Sequence, residues 1–249
     1  MGVLSNIFSS PQKVGKQGEK IVEKEIKIMN FFSREGKVIK NVYVPNKSGR
    51  TTEIDIIFIT RSGVFVLEVK NYIGYIFGDE HREQWVKTVY KGKNWIGMNK
   101  TEKQYFYNPI WQNKNHIRYL KNYLDENIQF FSGIVFSGDC EIKDINIYSD
   151  ETFVCHKDDL IKVVKKVIKA YPKVLSNKDI DDLYSKLKSL DGTKRVQKDH
   201  VKAIKNIEKG RCPLCGGKLV ARTAKRGNNT GNQFYGCSNY PECKYTRNI

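Results

Sequence analysis

Two apolar spacings alternate along the chain. Residues 14–30, VGKQGEKIVEKEIKIMN, place Val22, Ile26 and Met29 on one helical stripe, and Glu19 falls on the same face. Residues 37–44 read as a strand. Residues 52–71, TEIDIIFITRSGVFVLEVKN, read as a hairpin turning at TRSG. Ile57, Ile59, Val64 and Val66 line one of its faces, and Ile54, Ile56, Phe58, Phe65, Leu67 and Val69 line the other. Two apolar faces predict a central pair covered on both sides. Short strands and turns are expected across 72–98. NPIWQNKNHIRYLKNYL opens a helix with Asn108 as N-cap and Pro109 at the first position, and its inward stripe runs through Gln112, His116, Leu120, Tyr123 and Leu124. FFSGIVFSG predicts a buried strand. Residues 157–170 and 177–190 predict amphipathic helices, and residues 191–210 a basic, partly helical linker.

The charged residues of the hairpin need a separate account. If Arg61 and Ser62 form the loop, Thr60 faces Gly63, Asp55 faces Glu68 and Glu53 faces Lys70. Directly opposed residues on antiparallel strands share a face, so all four groups gather at one end. A three-residue loop would shift the register and disperse them. Carboxylates this close repel, and burial adds to the cost. A hard divalent cation, Mg²⁺ or Mn²⁺, relieves both. A plain ion-pair patch explains Glu53 beside Lys70 equally well, but not Asp55 facing Glu68.

The hydrophobic content of 39% and aromatic content of 12% support a core. No apolar run approaches the roughly 18–20 residues of a membrane span. The first residues lack the basic region of a secretory signal. A soluble, cytoplasmic protein without a membrane partner is expected. The net charge is +17, and residues 191–249 hold 13 basic against 4 acidic residues, or +9. Such a charge suits a polyanion, most simply nucleic acid; a solvated lysine-rich surface encoded by an AT-rich genome is the other reading. Cys212 and Cys215, then 21 residues, then Cys237 and Cys243 form C-x₂-C and C-x₅-C pairs. Four thiolates so arranged suit a tetrahedral structural Zn²⁺, which would drive the folding of a short tail. Disulfides do not suit a cytosolic chain. Cys140 and Cys155 read as core thiols. His81, His116, His156 and His200 show no ligand spacing, and His116 reads as packed on its helix face.

At this point the residues resemble a known family. An acid in one strand followed by Glu-x-Lys in the next is similar to the PD-(D/E)xK nuclease core. GKQGEKIVEKEI, TEIDIIFI, VFVLEVKNYIGYI and NPIWQNKNHIRYL together resemble the NERD, or nuclease-related, domain over about residues 13–125. The resemblance implies an α/β, restriction-endonuclease-like mixed sheet flanked by helices. It implies that Asp55 and Glu68, with the Val69 carbonyl, hold Mg²⁺ or Mn²⁺. Lys70 matches the catalytic lysine, which orients or deprotonates the attacking water or stabilises developing charge. Glu19 matches a helix-borne acid beside the metal, and Gln112 a supporting or substrate-positioning residue. The proline that precedes the first acid in the superfamily is replaced by Ile54.

The tail resembles the C-terminal zinc ribbon of bacterial type I topoisomerases over residues 212–247. That resemblance implies DNA binding, single strands included. Arg222, Lys225 and Arg226 would line a basic loop. Phe234, Tyr235, Tyr240 and Tyr245 would either stack on bases or build the ribbon's own core. The expected organisation is a nuclease-like domain over 11–150, a helical extension over 151–190, a basic linker over 191–210 and a C4 ribbon over 211–249. The expected function is Mg²⁺-dependent DNA hydrolysis of the endonuclease type. The alternatives are a non-catalytic DNA-binding adaptor on the same fold and, third, an RNA nuclease.

Overall fold

A computed structural model describes residues 11–33, 36–45, 51–93, 99–124, 128–192, 194–213, 215–225 and 230–248. They divide into two compact units, one of Met1–Val42 with Glu53–Asp191 and one of Tyr43–Thr52 with Gly192–Ile249. In chain order the elements lying wholly or mostly in the first unit begin with α1 (Pro11–Ser33), β1 (Gly36–Pro45), β2 (Thr51–Thr60), β3 (Gly63–Lys70) and β4 (Gly74–Asp79). Then come β5 (Gln84–Lys93), β6 (Asn99–Tyr107), α2 (Pro109–Leu124), β7 (Phe130–Phe136), β8 (Cys140–Asn146), β9 (Thr152–His156), α3 (Leu160–Ala170) and α4 (Asn177–Lys188).

The main sheet is mixed, with the order β1-β2-β3-β7-β9. β3 lies at its centre, antiparallel to β2 and parallel to β7. β3 and β7 are nearly continuous apolar runs because both sheet faces are covered. One face packs Ile56, Phe58, Phe65 and Leu67 against Val22 and Ile26 of α1 and Leu160 and Val164 of α3. The other face meets α2, whose buried residues Pro109, Ile110, Asn113, His116, Leu120 and Leu124 recur at helical spacing. The residues beyond 150 add β9 to this sheet and α3 to this core.

The hairpin loop is Arg61–Ser62. Pairing runs from Thr60↔Gly63 to Ile56↔Leu67, the register expected from the sequence. Regular pairing ends there, one residue short of Asp55 and Glu68. Gly18 brings the N-terminal part of α1 against the carboxyl ends of β3 and β7. A Cβ at this position would lie 2.3 Å from Ser137 Oγ and 2.9 Å from Asn71 Cβ.

A second sheet of order β6-β5-β4-β8 was not apparent in the sequence as a unit. β6 and β8 escaped notice because NKTEKQYFY and CEIKDIN are polar at most positions and bury little. The inner face of this sheet carries Ile76 and Trp85, packed with Ile110, Ile134 and Phe136.

In the second unit, residues 194–208 form a helix, α5 (Lys194–Glu208), where a partly helical linker was expected. Its His200 Nδ1 lies 2.9 Å from Thr51 Oγ1, and its ring meets the Tyr43 ring edge-on. β10 (Leu219–Thr223), β11 (Gln233–Cys237) and β12 (Thr246–Asn248) form a three-stranded antiparallel sheet. Among the described residues no helix is long and apolar enough to cross a membrane.

Candidate functional site

The acidic site lies where β2 and β3 part. Past the last regular pair, the Asp55 side chain continues the connection by accepting the Val69 backbone N–H at Oδ2, 2.8 Å away. Glu68 is buried on the α2 face of β3. Its Oε1 accepts from Lys70 Nζ at 2.6 Å and from Gln112 Nε2 at 2.7 Å. Lys70 also donates to Gln112 Oε1 at 3.0 Å, so Lys70, Gln112 and Glu68 close a three-membered ring of hydrogen bonds. His116 Nε2 lies 3.2 Å from Glu68 Oε2 and donates to it, because a carboxylate only accepts.

α2 sets this ring through its own start and its floor. Asn108 Oδ1 caps the helix by accepting the Ile110 N–H at 2.9 Å. Its amide nitrogen donates to the carbonyls of Asp79, Glu80 and Arg82, at 2.7 Å for the last. One turn on, Asn113 donates to the Val66 carbonyl at 2.7 Å and to Ser132 Oγ at 3.0 Å. Asn113, between Gln112 and His116, thereby binds the helix to β3 and β7, and Asn108 binds its start to the 79–82 turn. A second buried acid, Glu80, holds the 79–82 turn. It accepts from Lys114, the Ser149 hydroxyl and the Tyr148 and Ser149 amides. Burial pushes its carboxyl up, but these four donors outweigh burial and hold it at about 2.

The four site groups differ in protonation. Burial raises Asp55 well above the usual carboxylate range, and the neighbouring charges of Glu68 and Glu19 raise it further. Burial acts on Glu68 in the same direction, yet Lys70 and His116 bring it below the usual range. Burial alone would lower Lys70, but Glu68 outweighs it and the ammonium holds its proton more tightly than usual. Glu19, half-buried on α1, is raised by burial and then by Glu53 and Glu68. Asp55 and Glu19 are thus carboxylates held near one another without enough positive charge, which is the setting a hard divalent cation fits. Asp55 Oδ1 makes no hydrogen bond among the described residues. Both Glu68 oxygens, by contrast, are occupied by protein donors.

The structure therefore brings Asp55, Glu68, Lys70 and Gln112 into one cluster, with Glu19 in electrostatic range. Sequence reasoning placed His116 in the packing of α2. It is buried there, and it also touches Glu68. Its position four residues after Gln112, one helical turn on, was the available signal. Asn108 was read as a cap alone, and Asn113 and Glu80 were not singled out, because each is defined by carbonyls or amides distant in sequence.

In the second unit the four cysteines converge. Their sulfurs lie within 4.8 Å of one another, with Cys212–Cys243 at 3.6 Å and Cys215–Cys237 at 3.4 Å. A tetrahedron with zinc–sulfur bonds of about 2.3 Å has edges of about 3.8 Å, so the residues fit Zn²⁺. Among the described residues they are the group that gathers three or more such ligand atoms this closely. Gly216, at φ +77°, turns the first knuckle, where the Cys212 carbonyl accepts the Gly216 N–H at 2.8 Å. The amide of Gly217 lowers the Cys215 thiol to about 7, while burial pushes Cys237 up to about 12. Tyr245 is buried beside the cysteines as core, and Tyr240 is exposed. Phe234 and Tyr235 are half-buried and face opposite sides of β11. Arg222 pairs with Phe234 across the strands, and its guanidinium lies 5.7 Å from the Tyr240 ring centroid. Arg247 lies 5.2 Å from the Tyr235 ring. Lys225 is exposed, and Arg226 falls outside the described residues.

Comparison with known proteins agrees with this division. The family described as nuclease-related domain matches residues 14–137, and the topoisomerase DNA-binding C4 zinc finger matches residues 209–249. An uncharacterized protein of Bacillus anthracis is 32% identical over 198 residues, which is 79% of this chain and 86% of that protein. DNA topoisomerase 1 of Archaeoglobus fulgidus is 43% identical over 54 residues, covering 21% of this chain and 8% of the enzyme. DNA topoisomerase 1 of Pyrococcus horikoshii is 44% identical over 43 residues, or 17% and 6%. The likeness to topoisomerases is thus confined to a small part of those enzymes. No solved structure gives a significant match.

Proposed function

The chain belongs to the nuclease-related domain family and carries a topoisomerase-type C4 zinc ribbon, and from that premise we propose that it is a metal-dependent nuclease that hydrolyses DNA phosphodiester bonds. The observation that carries the proposal is the Asp55–Glu68–Lys70 cluster with its split protonation. Asp55 and Glu68 would hold Mg²⁺ or Mn²⁺, with Glu19 beside them. A divalent cation at such a site polarises the phosphate and makes water a better nucleophile.

The chain's own residues account for the remainder. Lys70 holds its proton at neutral pH. It is therefore assigned to stabilising the negative charge gathering on phosphorus, and proton abstraction is left to another group. Gln112 fixes the Lys70 ammonium, and His116 keeps Glu68 ionised and oriented. Glu19, with its raised proton affinity, is suited to receive the proton that the attacking water releases. The ribbon would hold DNA through Arg222, Lys225, Arg226 and the half-buried faces of Phe234 and Tyr235. Cleavage within strands, Mg²⁺ as the working ion and an intracellular site of action belong to the same proposal.

A second reading, a DNA-binding protein without cleavage, is favoured by one observation. Both Glu68 oxygens are occupied by Lys70, Gln112 and His116, and a cation would have to displace at least one of these donors. Supercoiled plasmid, linear duplex and single strands incubated with Mg²⁺, Mn²⁺ or chelator separate the two. The nuclease reading expects divalent-dependent cleavage that Glu68→Gln and Lys70→Met abolish while binding persists. Binding without cleavage under every condition, or cleavage unchanged in both variants, overturns it.

A further inference from the structure

The second sheet turns its inner face to the core, and on its outer face the Tyr107 ring lies edge-on to Trp111 of α2, with ring centroids 6.3 Å apart. Four aromatic side chains stand on that outer face. Tyr75 and Phe77 project from β4, and Tyr105 and Tyr107 from β6. Tyr75 is 46%, Phe77 37%, Tyr105 66% and Tyr107 51% exposed. The register puts them on one side. Phe77 pairs with Val86, which pairs with Tyr105, while Tyr75 pairs with Thr88, which pairs with Lys103. Ile76, Trp85 and Phe106, at the intervening positions, point into the core. Solvent-facing rings in this number, on a sheet whose alternate residues are already buried, do not serve the fold.

Spacing and charge say what they suit. Residues two apart on a strand are separated by about 6.8 Å, the width of one flat base between two rings at about 3.4 Å on either side. Tyr75 with Phe77, and Tyr105 with Tyr107, are such pairs two residues apart on one strand. Lys103, paired with Thr88, shares the outer face with these rings, whereas Lys87, paired with Ile76, lies on the inner face over Tyr72 and Lys91 is ion-paired with Glu102. At the opposite edge Lys143, paired with Glu141, lies 4.9 Å from the Tyr75 ring centroid. Lys103 and Lys143 beside open rings attract a strand with a phosphate backbone and unstacked bases. A duplex keeps its bases stacked inside and gives the rings nothing to grip. A second copy of this +17 chain would bring like net charge against itself.

We propose that the outer face of the β6-β5-β4-β8 sheet is a stacking platform for single-stranded nucleic acid, with Tyr75, Phe77, Tyr105 and Tyr107 taking bases and Lys103 a phosphate. The platform is independent of the acidic site and needs no cleavage. It adds to the nuclease-related unit a grip on unpaired strands separate from the zinc ribbon.

The test uses the full chain without added divalent cation, so that no probe is cleaved. Fluorescent oligo-dT and oligo-U of about 15 nucleotides are titrated beside a duplex of equal length. Phe77→Ala with Tyr105→Ala should weaken single-strand binding about tenfold for each ring removed, with duplex affinity and salt slope unchanged. Tyr105→Phe, which keeps the ring, should bind as the parent does. Lys103→Ala should lower the salt slope by about one. Equal loss on both oligomers assigns the platform to single strands of either sugar, and loss on one alone assigns it to that one. Ultraviolet cross-linking of the parent protein should map to β4 and β6. Unchanged single-strand affinity with cross-links confined to residues 209–249 overturns the proposal. So does a change of oligomeric state in light scattering at constant affinity, which would make the face a self-association surface.

Discussion

The Asp55 side chain reaches across the opening of the hairpin to Val69, accepting the Val69 N–H at Oδ2, 2.8 Å away. The strands no longer pair regularly there, so a side chain does what a backbone carbonyl does elsewhere in the ladder. The cost falls on Asp55, which burial, Glu68 and Glu19 push well above the usual carboxylate range. A raised carboxylate favours folding below its unfolded pKa of about 3.9, and that advantage disappears as pH rises through the raised value. Asp55→Asn keeps an acceptor for Val69 and removes the charge. Without divalent cation it should be more stable than the parent at neutral pH, with the difference closing towards pH 4. Mg²⁺ or Mn²⁺ at a hundred times its dissociation constant should stabilise the parent by about 3 kcal/mol and the variant by much less. Denaturant titrations with and without cation read both effects, and coincident curves for the two proteins would refute the repulsion.

Gln112 is the next test of the site. It accepts from Lys70 and donates to Glu68, so its loss leaves the ammonium held by Glu68 alone. Gln112→Ala should lower the single-turnover cleavage rate about tenfold, the worth of one positioning hydrogen bond, with little change in melting temperature. Equal cleavage rates would show that Lys70 needs no such support.

Glu80 should be a stability residue. Its carboxyl is held at about 2 by Lys114, Ser149 and two amides. A depressed carboxylate contributes stability above its unfolded pKa of about 4.3, and the contribution is lost as pH falls through 2. The shift corresponds to roughly 3 kcal/mol. Glu80→Gln should cost about that at pH 7 and progressively less below pH 4. Denaturation midpoints across that range check the convergence; a pH-independent loss would point to packing alone.

The ribbon should depend on its metal. The described part of this unit buries a small cluster around Cys212, Cys237 and Tyr245, which is little apolar surface for three strands. Elemental analysis should find about one zinc per chain. Stripping the metal should abolish amide-exchange protection in Leu219–Thr223 and Gln233–Cys237, and restoring zinc should recover it. Full protection in the metal-free chain would show a fold that needs no zinc.

Much of this protein is determined by short-range sequence. The i, i+4, i+7 stripe of Val22, Ile26 and Met29 fixes α1, because only that face can be buried. The two-residue loop fixes the hairpin register, since a slip by one would turn every side chain to the other face. The cysteine spacing fixes the ribbon, because tetrahedral ligation tolerates few alternatives. What only the tertiary structure decided has partners far apart in the chain. Glu68 stays ionised because Lys70 lies beside it and α2, 48 residues on, delivers His116 to it. Glu80 is built into the 79–82 turn by amides 68 and 69 residues away. The exposed rings of β4 and β6 share a face only because β5 lies between them. Periodicity reports which side of an element is buried, whereas pairing between distant elements decides which polar groups meet, and in this protein the candidate chemistry resides in those meetings.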